Sequence, residues 1–154
     1  MRRREFLRGT ALAAGGVLAE GGLLGGAWAF RPYRSVQEVL FEGINRVRDP
    51  SSKTVLEKKH APVIEAPERV GRGEAFSATV RVGEIVHPMS PAHYIQYVEV
   101  LAGNEPAGRV ELSPELGVPV VSLTLRLDKP VTLVVREYCN LHGLWESRLE
   151  VAVS

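Results

Sequence analysis

The chain has 154 residues, 45% of them hydrophobic and 24% charged, the balance of an ordinary globular domain rather than a disordered chain. A formal net charge of +1 provides no global field to attract nucleic acid or an acidic partner. One cysteine excludes an intramolecular disulfide and any centre that needs several thiolates.

Residues 1–29 read as an address rather than as part of the fold. Arg2, Arg3, Arg4 and Arg8 precede a run rich in Ala, Gly and Leu that ends in Ala27-Trp28-Ala29. That order is a positive region, an apolar middle and a small-x-small cleavage site. Arg3-Arg4-Glu5-Phe6-Leu7-Arg8 resembles the core of a twin-arginine export signal. Such signals are read by machinery that moves folded proteins, which suits a protein loaded with a metal before export. The expected location is the periplasm or the outer face of the cytoplasmic membrane. The segment carries four arginines against Glu5 and Glu20, so its removal takes the formal charge from +1 to −1.

Residues 30–56 read as a helical linker. Val36, Val39, Leu40, Ile44 and Val47 recur at helical spacing, Ser35 with Glu38 has the form of a capping box, and Asp49-Pro50-Ser51-Ser52 breaks the pattern. Residues 57–154 read as one β-sandwich domain, and beyond residue 60 the period becomes two. Phe76, Ala78, Val80 and Val82 alternate with polar residues, as do Val121, Leu123, Leu125 and Leu127. Further strands are predicted from Tyr94 to Leu101, Arg109 to Leu112, Val131 to Tyr138 and Glu146 to Val153. Turn signals at Gly71 to Gly73, Ala102-Gly103-Asn104, Ser113-Pro114 and Asp128-Lys129-Pro130 separate them. Short strands with one apolar face and short turns predict an all-β fold, an antiparallel sandwich of immunoglobulin-like character.

The four histidines and the cysteine all fall outside the alternating runs. His87 and His93 bracket His87-Pro88-Met89-Ser90-Pro91-Ala92-His93, a loop stiffened by two prolines. Cys139 and His142 are three positions apart in a turn between two strands. His60 follows two lysines at the start of a strand region. Each alone is ordinary; together a thiolate and several imidazoles suit iron or copper better than the oxygen-seeking magnesium or calcium.

Three blocks carry a family resemblance: Lys59-His60-Ala61-Pro62-Val63-Ile64-Glu65; the His87 to His93 loop with Tyr94-Ile95-Gln96-Tyr97-Val98-Glu99; and Cys139-Asn140-Leu141-His142-Gly143-Leu144-Trp145-Glu146-Ser147. In this order they resemble the superoxide reductases, the desulfoferrodoxin and neelaredoxin proteins. The resemblance implies a seven-stranded sandwich and one mononuclear iron per chain, with His60, His87, His93 and His142 equatorial and Cys139 axial. The four cysteines of a second iron domain are missing, so the chain resembles the one-iron class. The family commonly places Glu then Lys before the first histidine. Here Lys59 fits the lysine position, Lys58 stands where the carboxylate would be, and Glu57 is one residue further back. The implied reaction is the one-electron reduction of superoxide to hydrogen peroxide, with Lys59 as the cation that draws the anion in. The backbone N–H groups of Leu141 and His142 are expected to hydrogen-bond the Cys139 sulfur.

Two other readings fit the residues before the resemblance is weighed. One is a cupredoxin-like electron carrier, which wants two His, one Cys and a weak axial Met, and finds only Met89 beyond the leader. The other is a non-catalytic binding module with incidental histidines. The reductase reading requires superoxide as substrate and an external one-electron donor, a rubredoxin-like or other extracytoplasmic redox protein. It involves no nucleic acid and is compatible with a homo-oligomer.

Overall fold

The strands form where apolar and polar residues alternate, and in the computed structural model, which describes residues 43–154, nearly every alternating run becomes one. In chain order the elements are β1 (Ile44–Asn45), α1 (Val55–His60), β2 (Pro62–Glu65), β3 (Arg69–Val70), β4 (Ala75–Val82) and β5 (Ile95–Ala102). They continue with β6 (Glu105–Glu111), β7 (Val120–Arg126), β8 (Val131–Cys139) and β9 (Gly143–Val153). In β4, Phe76, Ala78, Val80 and Val82 are buried, as the period of two requires.

Antiparallel pairing gives one sheet in the order β9-β8-β5-β6 and a second in the order β2-β4-β7. These seven strands are the predicted β-sandwich. Two short strands are added in parallel to β9: β1 opposite Leu144 and Trp145, and β3 opposite Ala152 and Val153. They cover opposite ends of an edge that would otherwise present unpaired backbone groups. Between the sheets, Val80, Val82, Ile95, Val98, Val100, Val121, Val135 and Cys139 pack together at one end. Val70, Phe76, Ala78, Leu127, Leu133 and Val151 fill the other. The cysteine is thus part of the apolar core, at the end where the histidine loops gather.

Two local expectations are corrected. The helical spacing from Val36 to Val47 does not carry through Ile44, which with Asn45 lies in β1 because pairing with the β9 edge outweighs local propensity. Val36, Val39, Leu40, the Ser35 and Glu38 pair and the leader lie outside the described residues. The stretch before His60 is also not an extended start of a strand; it is the helix α1. Thr54 caps it: its hydroxyl oxygen accepts from the Glu57 N–H, and the Glu57 carboxylate accepts from the Thr54 N–H. Thr54-Val55-Leu56-Glu57 is the T-x-x-E sequence signature of that box.

Candidate metal centre

Each ligand-bearing residue is held by an element that the sequence builds locally. His60 ends α1. Its Nδ1 lies 2.8 Å from the Leu56 carbonyl, one helical turn back; a carbonyl only accepts, so Nδ1 carries the proton and Nε2 the lone pair. His87 is tethered in the same way, with Nδ1 2.7 Å from the Pro88 carbonyl. His93 closes a tight loop in which the His93 N–H donates to the Ser90 carbonyl at 3.0 Å and the Ser90 N–H donates to the His93 carbonyl at 3.1 Å. Cys139 is the last residue of β8, and His142 ends the turn into β9.

One side chain and a glycine bring these pieces together. The Asn140 amide donates to the Ala92 carbonyl at 3.0 Å and accepts from the Tyr94 N–H at 2.9 Å, tying the cysteine turn to the His93 loop. Gly83, at φ +80°, lets the end of β4 approach α1; a Cβ there would lie 2.5 Å from the Lys59 carbonyl oxygen.

The four imidazoles form a closed ring of edge-to-face neighbours. His60 to His87, His87 to His93, His93 to His142 and His142 to His60 have centroids 4.7, 4.5, 4.9 and 4.6 Å apart and planes inclined by 66° to 80°. His60 and His93 face each other across the ring at 6.0 Å, 29° from parallel. The Cys139 sulfur lies 3.6 Å from His87 Nε2 and 3.5 Å from His142 Nδ1. One donor atom from each of the five residues lies within 4.8 Å of all the others. Every predicted ligand is therefore in one cluster.

The chemistry of these atoms fits a cation. Nε2 of His60 and Nε2 of His87 are 3.1 Å apart, and the tethered Nδ1 protons leave a lone pair on each. Two lone pairs at that distance repel unless a positive ion lies between them. His93 Nε2 is buried with no protein partner. Burial holds the pKa values of His60, His87 and His93 below the usual imidazole value, His87 at about 4, so these rings are neutral donors near pH 7. Burial also pushes the Cys139 thiol up, against hydrogen bonds from the Leu141 and His142 N–H groups, the two donors expected from the sequence. A bound cation would favour the thiolate. His60, His87 and Cys139 are buried, His93 is partly so, and His142 is exposed, so the cluster opens on the His142 side.

Three neighbours were not singled out from the sequence. Trp145 stacks on His60, with centroids 5.3 Å apart and planes inclined by 22°. Glu137 is fully buried on the β8 face that carries Cys139; burial pushes its pKa to about 9, so the carboxyl is neutral at pH 7. Asn45 reaches the β8–β9 turn with its side-chain amide. Only the spacing of two along β8 could have placed Glu137 inward, and nothing local places Asn45.

Lys59 and Lys58 are resolved by the helix. Lys59 is half-buried and its charge acts on the His60 and His93 rings, whereas Lys58 is exposed and its charge acts on Glu84. Glu57 is 7% exposed and is occupied by Thr54 and by the Arg48 N–H, which donates to Oε1 at 3.0 Å. Those hydrogen bonds, the Arg48 N–H foremost, hold its carboxyl below the usual range. It is a structural acid in α1 and lies in no flexible loop.

A β-sandwich that gathers four imidazoles and one thiolate at one end defines a class of mononuclear non-haem metalloprotein. The sequence model of the desulfoferrodoxin family matches residues 52–148, and the chain belongs to that family. It is 36% identical over 104 residues to a superoxide reductase of Pyrococcus horikoshii, covering 61% of this chain and 88% of that protein. It is 31% identical over 115 residues to the neelaredoxin of Megalodesulfovibrio gigas, covering 62% of this chain and 88% of that one. Among solved structures, the superoxide reductase (neelaredoxin) from Ignicoccus hospitalis aligns with a TM-score of 0.66 at 34% identity, over 79% of this chain and all of that one.

Proposed function

We infer that this chain is a superoxide reductase, and the observation that carries the reading is the convergence of His60, His87, His93, His142 and Cys139 on one point. A cupredoxin-like site would leave two histidines outside the cluster, and a binding module with incidental histidines would not gather them. The iron those residues would hold supplies the single electron that superoxide takes up, with two protons, to become hydrogen peroxide. The donor set suits that ion: four neutral imidazoles and one thiolate carry a single negative charge, which leaves a ferrous centre net positive. A separate one-electron donor returns the electron after each turnover.

The role of Lys59 belongs to this proposal. Its ammonium, next to His60 and felt by His93, draws the superoxide anion to the exposed side of the cluster and offsets charge on the departing peroxide. Trp145 and the packed core exclude water from the other side of the His60 ring. Export by the twin-arginine route is also proposed, supported by Arg3-Arg4-Glu5-Phe6-Leu7-Arg8, and with it a rubredoxin-like or other extracytoplasmic carrier as donor.

The test is pulse radiolysis of the iron-loaded protein with peroxide and oxygen measured. Reduction forms one peroxide per superoxide and releases no oxygen; decay no faster than spontaneous dismutation overturns the reading. Export is tested by fractionating cells that carry Arg3→Lys with Arg4→Lys, where cytoplasmic retention is expected and undiminished export refutes it.

A further inference from the structure

We propose that Asn45, outside the matched family residues 52–148, is a positioning residue for the metal centre, holding the turn that carries His142. The inference rests on the metal assignment above and adds a residue to it. Asn45 lies in β1, which runs parallel to β9 and pairs Ile44 with Leu144 and Asn45 with Trp145. From there the side-chain nitrogen donates to the His142 carbonyl at 3.2 Å and to the Leu144 carbonyl at 3.1 Å. The two carbonyls flank Gly143, whose φ of +76° no β-branched or bulky residue readily adopts. An amide NH₂ has two protons on one atom, so one asparagine can pin both carbonyls across this glycine.

The position matters because His142 is the exposed ligand. His60 and His87 are fixed by burial and by carbonyls on their Nδ1 atoms, and Cys139 sits in the ladder opposite Gly143. His142 instead offers Nδ1 to the cluster, so its ring orientation follows the backbone of the turn closely. Fixing the carbonyl of His142 fixes the direction from which its ring enters.

The same short segment also grips the element that carries the neighbouring ligand. The Arg48 N–H donates to Glu57 in α1, the helix that ends at His60, and the His60 and His142 rings are neighbours 4.6 Å apart. Asn45 and Arg48 thus join the helix of one ligand to the turn of another.

The experiment uses the full iron-loaded chain. Asn45→Asp keeps the shape but removes both donors and sets a carboxylate against two carbonyls. Iron release to a ferrous chelator should quicken about fivefold, and the ferric electron paramagnetic resonance spectrum should change rhombicity. Arg46→Gln is the control: it removes the neighbouring ion pair to Glu146 in the same segment and should lower the melting midpoint with both iron readouts unchanged. Wild-type release and spectrum in Asn45→Asp overturn the proposal. So does an equal acceleration in Arg46→Gln, which would mean general loosening. A wild-type chain that takes up no iron is a different failure: it overturns the metal assignment itself.

Discussion

Glu57 closes a capping box with Thr54, its Oε2 accepting from the Thr54 N–H at 2.7 Å and the Thr54 hydroxyl at 2.9 Å. This explains the departure from the family pattern before His60. The carboxylate stands one residue further back and is spent on the start of α1 and on the Arg48 N–H. Glu57→Ala should therefore cost about 1–3 kcal/mol of stability by urea denaturation, the worth of a cap and a charged hydrogen bond. The superoxide rate should stay within about twofold and the ferric absorption should barely move. A large spectral shift would show that this carboxylate acts at the metal.

Lys59 and Lys58 separate by about 100° around α1, not by the 180° of a strand. Lys59→Met should slow the bimolecular reaction with superoxide about tenfold and flatten its dependence on ionic strength, since salt screens the charge removed. Lys58→Met should do little, because that charge acts on Glu84. Stopped-flow or pulse-radiolysis rates at several salt concentrations decide it. Equal rates in wild type and Lys59→Met would reduce the lysine to a surface charge.

Cys139 is the only sulfur donor in the cluster, within 3.6 Å of two of the imidazole nitrogens. Cys139→Ser should abolish the thiolate-to-iron charge-transfer absorption while iron content falls only in part, because four imidazoles remain. Absorption and metal analysis on the same sample check both. An unchanged spectrum contradicts the ligand assignment.

Glu146 has a fully buried side chain that meets Arg46, Arg136 and Arg148. Burial would raise its pKa, but the hydrogen bonds from Arg136, Arg46 and Arg148 outweigh it and hold the carboxyl below the ordinary value of 4.5. The folded value is the lower one, so this stabilisation is present above the unfolded pKa and fades as pH falls through the folded one. Glu146→Gln should cost about 1–3 kcal/mol at neutral pH, because a buried acceptor of three charged hydrogen bonds loses its charge, while Arg46 and Arg148, 46% and 60% exposed, keep water as a partner. It should also flatten the acid side of the stability curve. Urea midpoints from neutral to acid pH measure both effects; a parallel pH curve in the variant refutes the linkage.

Side-chain alternation sufficed for the sandwich. Val80 and Val82 face inward and Ser122 and Thr124 outward by a rule that needs only neighbours in sequence. The ligand set was equally open to reading, since a chain with four histidines and one cysteine allows few metal sites, and the blocks around them are specific. The Thr54 to Glu57 box is also written locally, in four consecutive residues.

What the sequence by itself determined was which side chains alternate, which residues can bind a soft-to-borderline metal, and the order in which they come. Only the tertiary structure decided the rest. That Ile44 pairs with Leu144 depends on a free edge of β9, a partner 100 residues away that no local pattern can name. That His60 and His87 offer Nε2 while His142 offers Nδ1 depends on which nitrogen finds a carbonyl or faces the sulfur. That Asn45 reaches the His142 turn follows from the same edge pairing. Periodicity is a property of neighbours along the chain, so it selects a face. Ladder partners and hydrogen-bond acceptors are chosen among distant segments competing for the same edge, and that competition is settled only when the chain has folded.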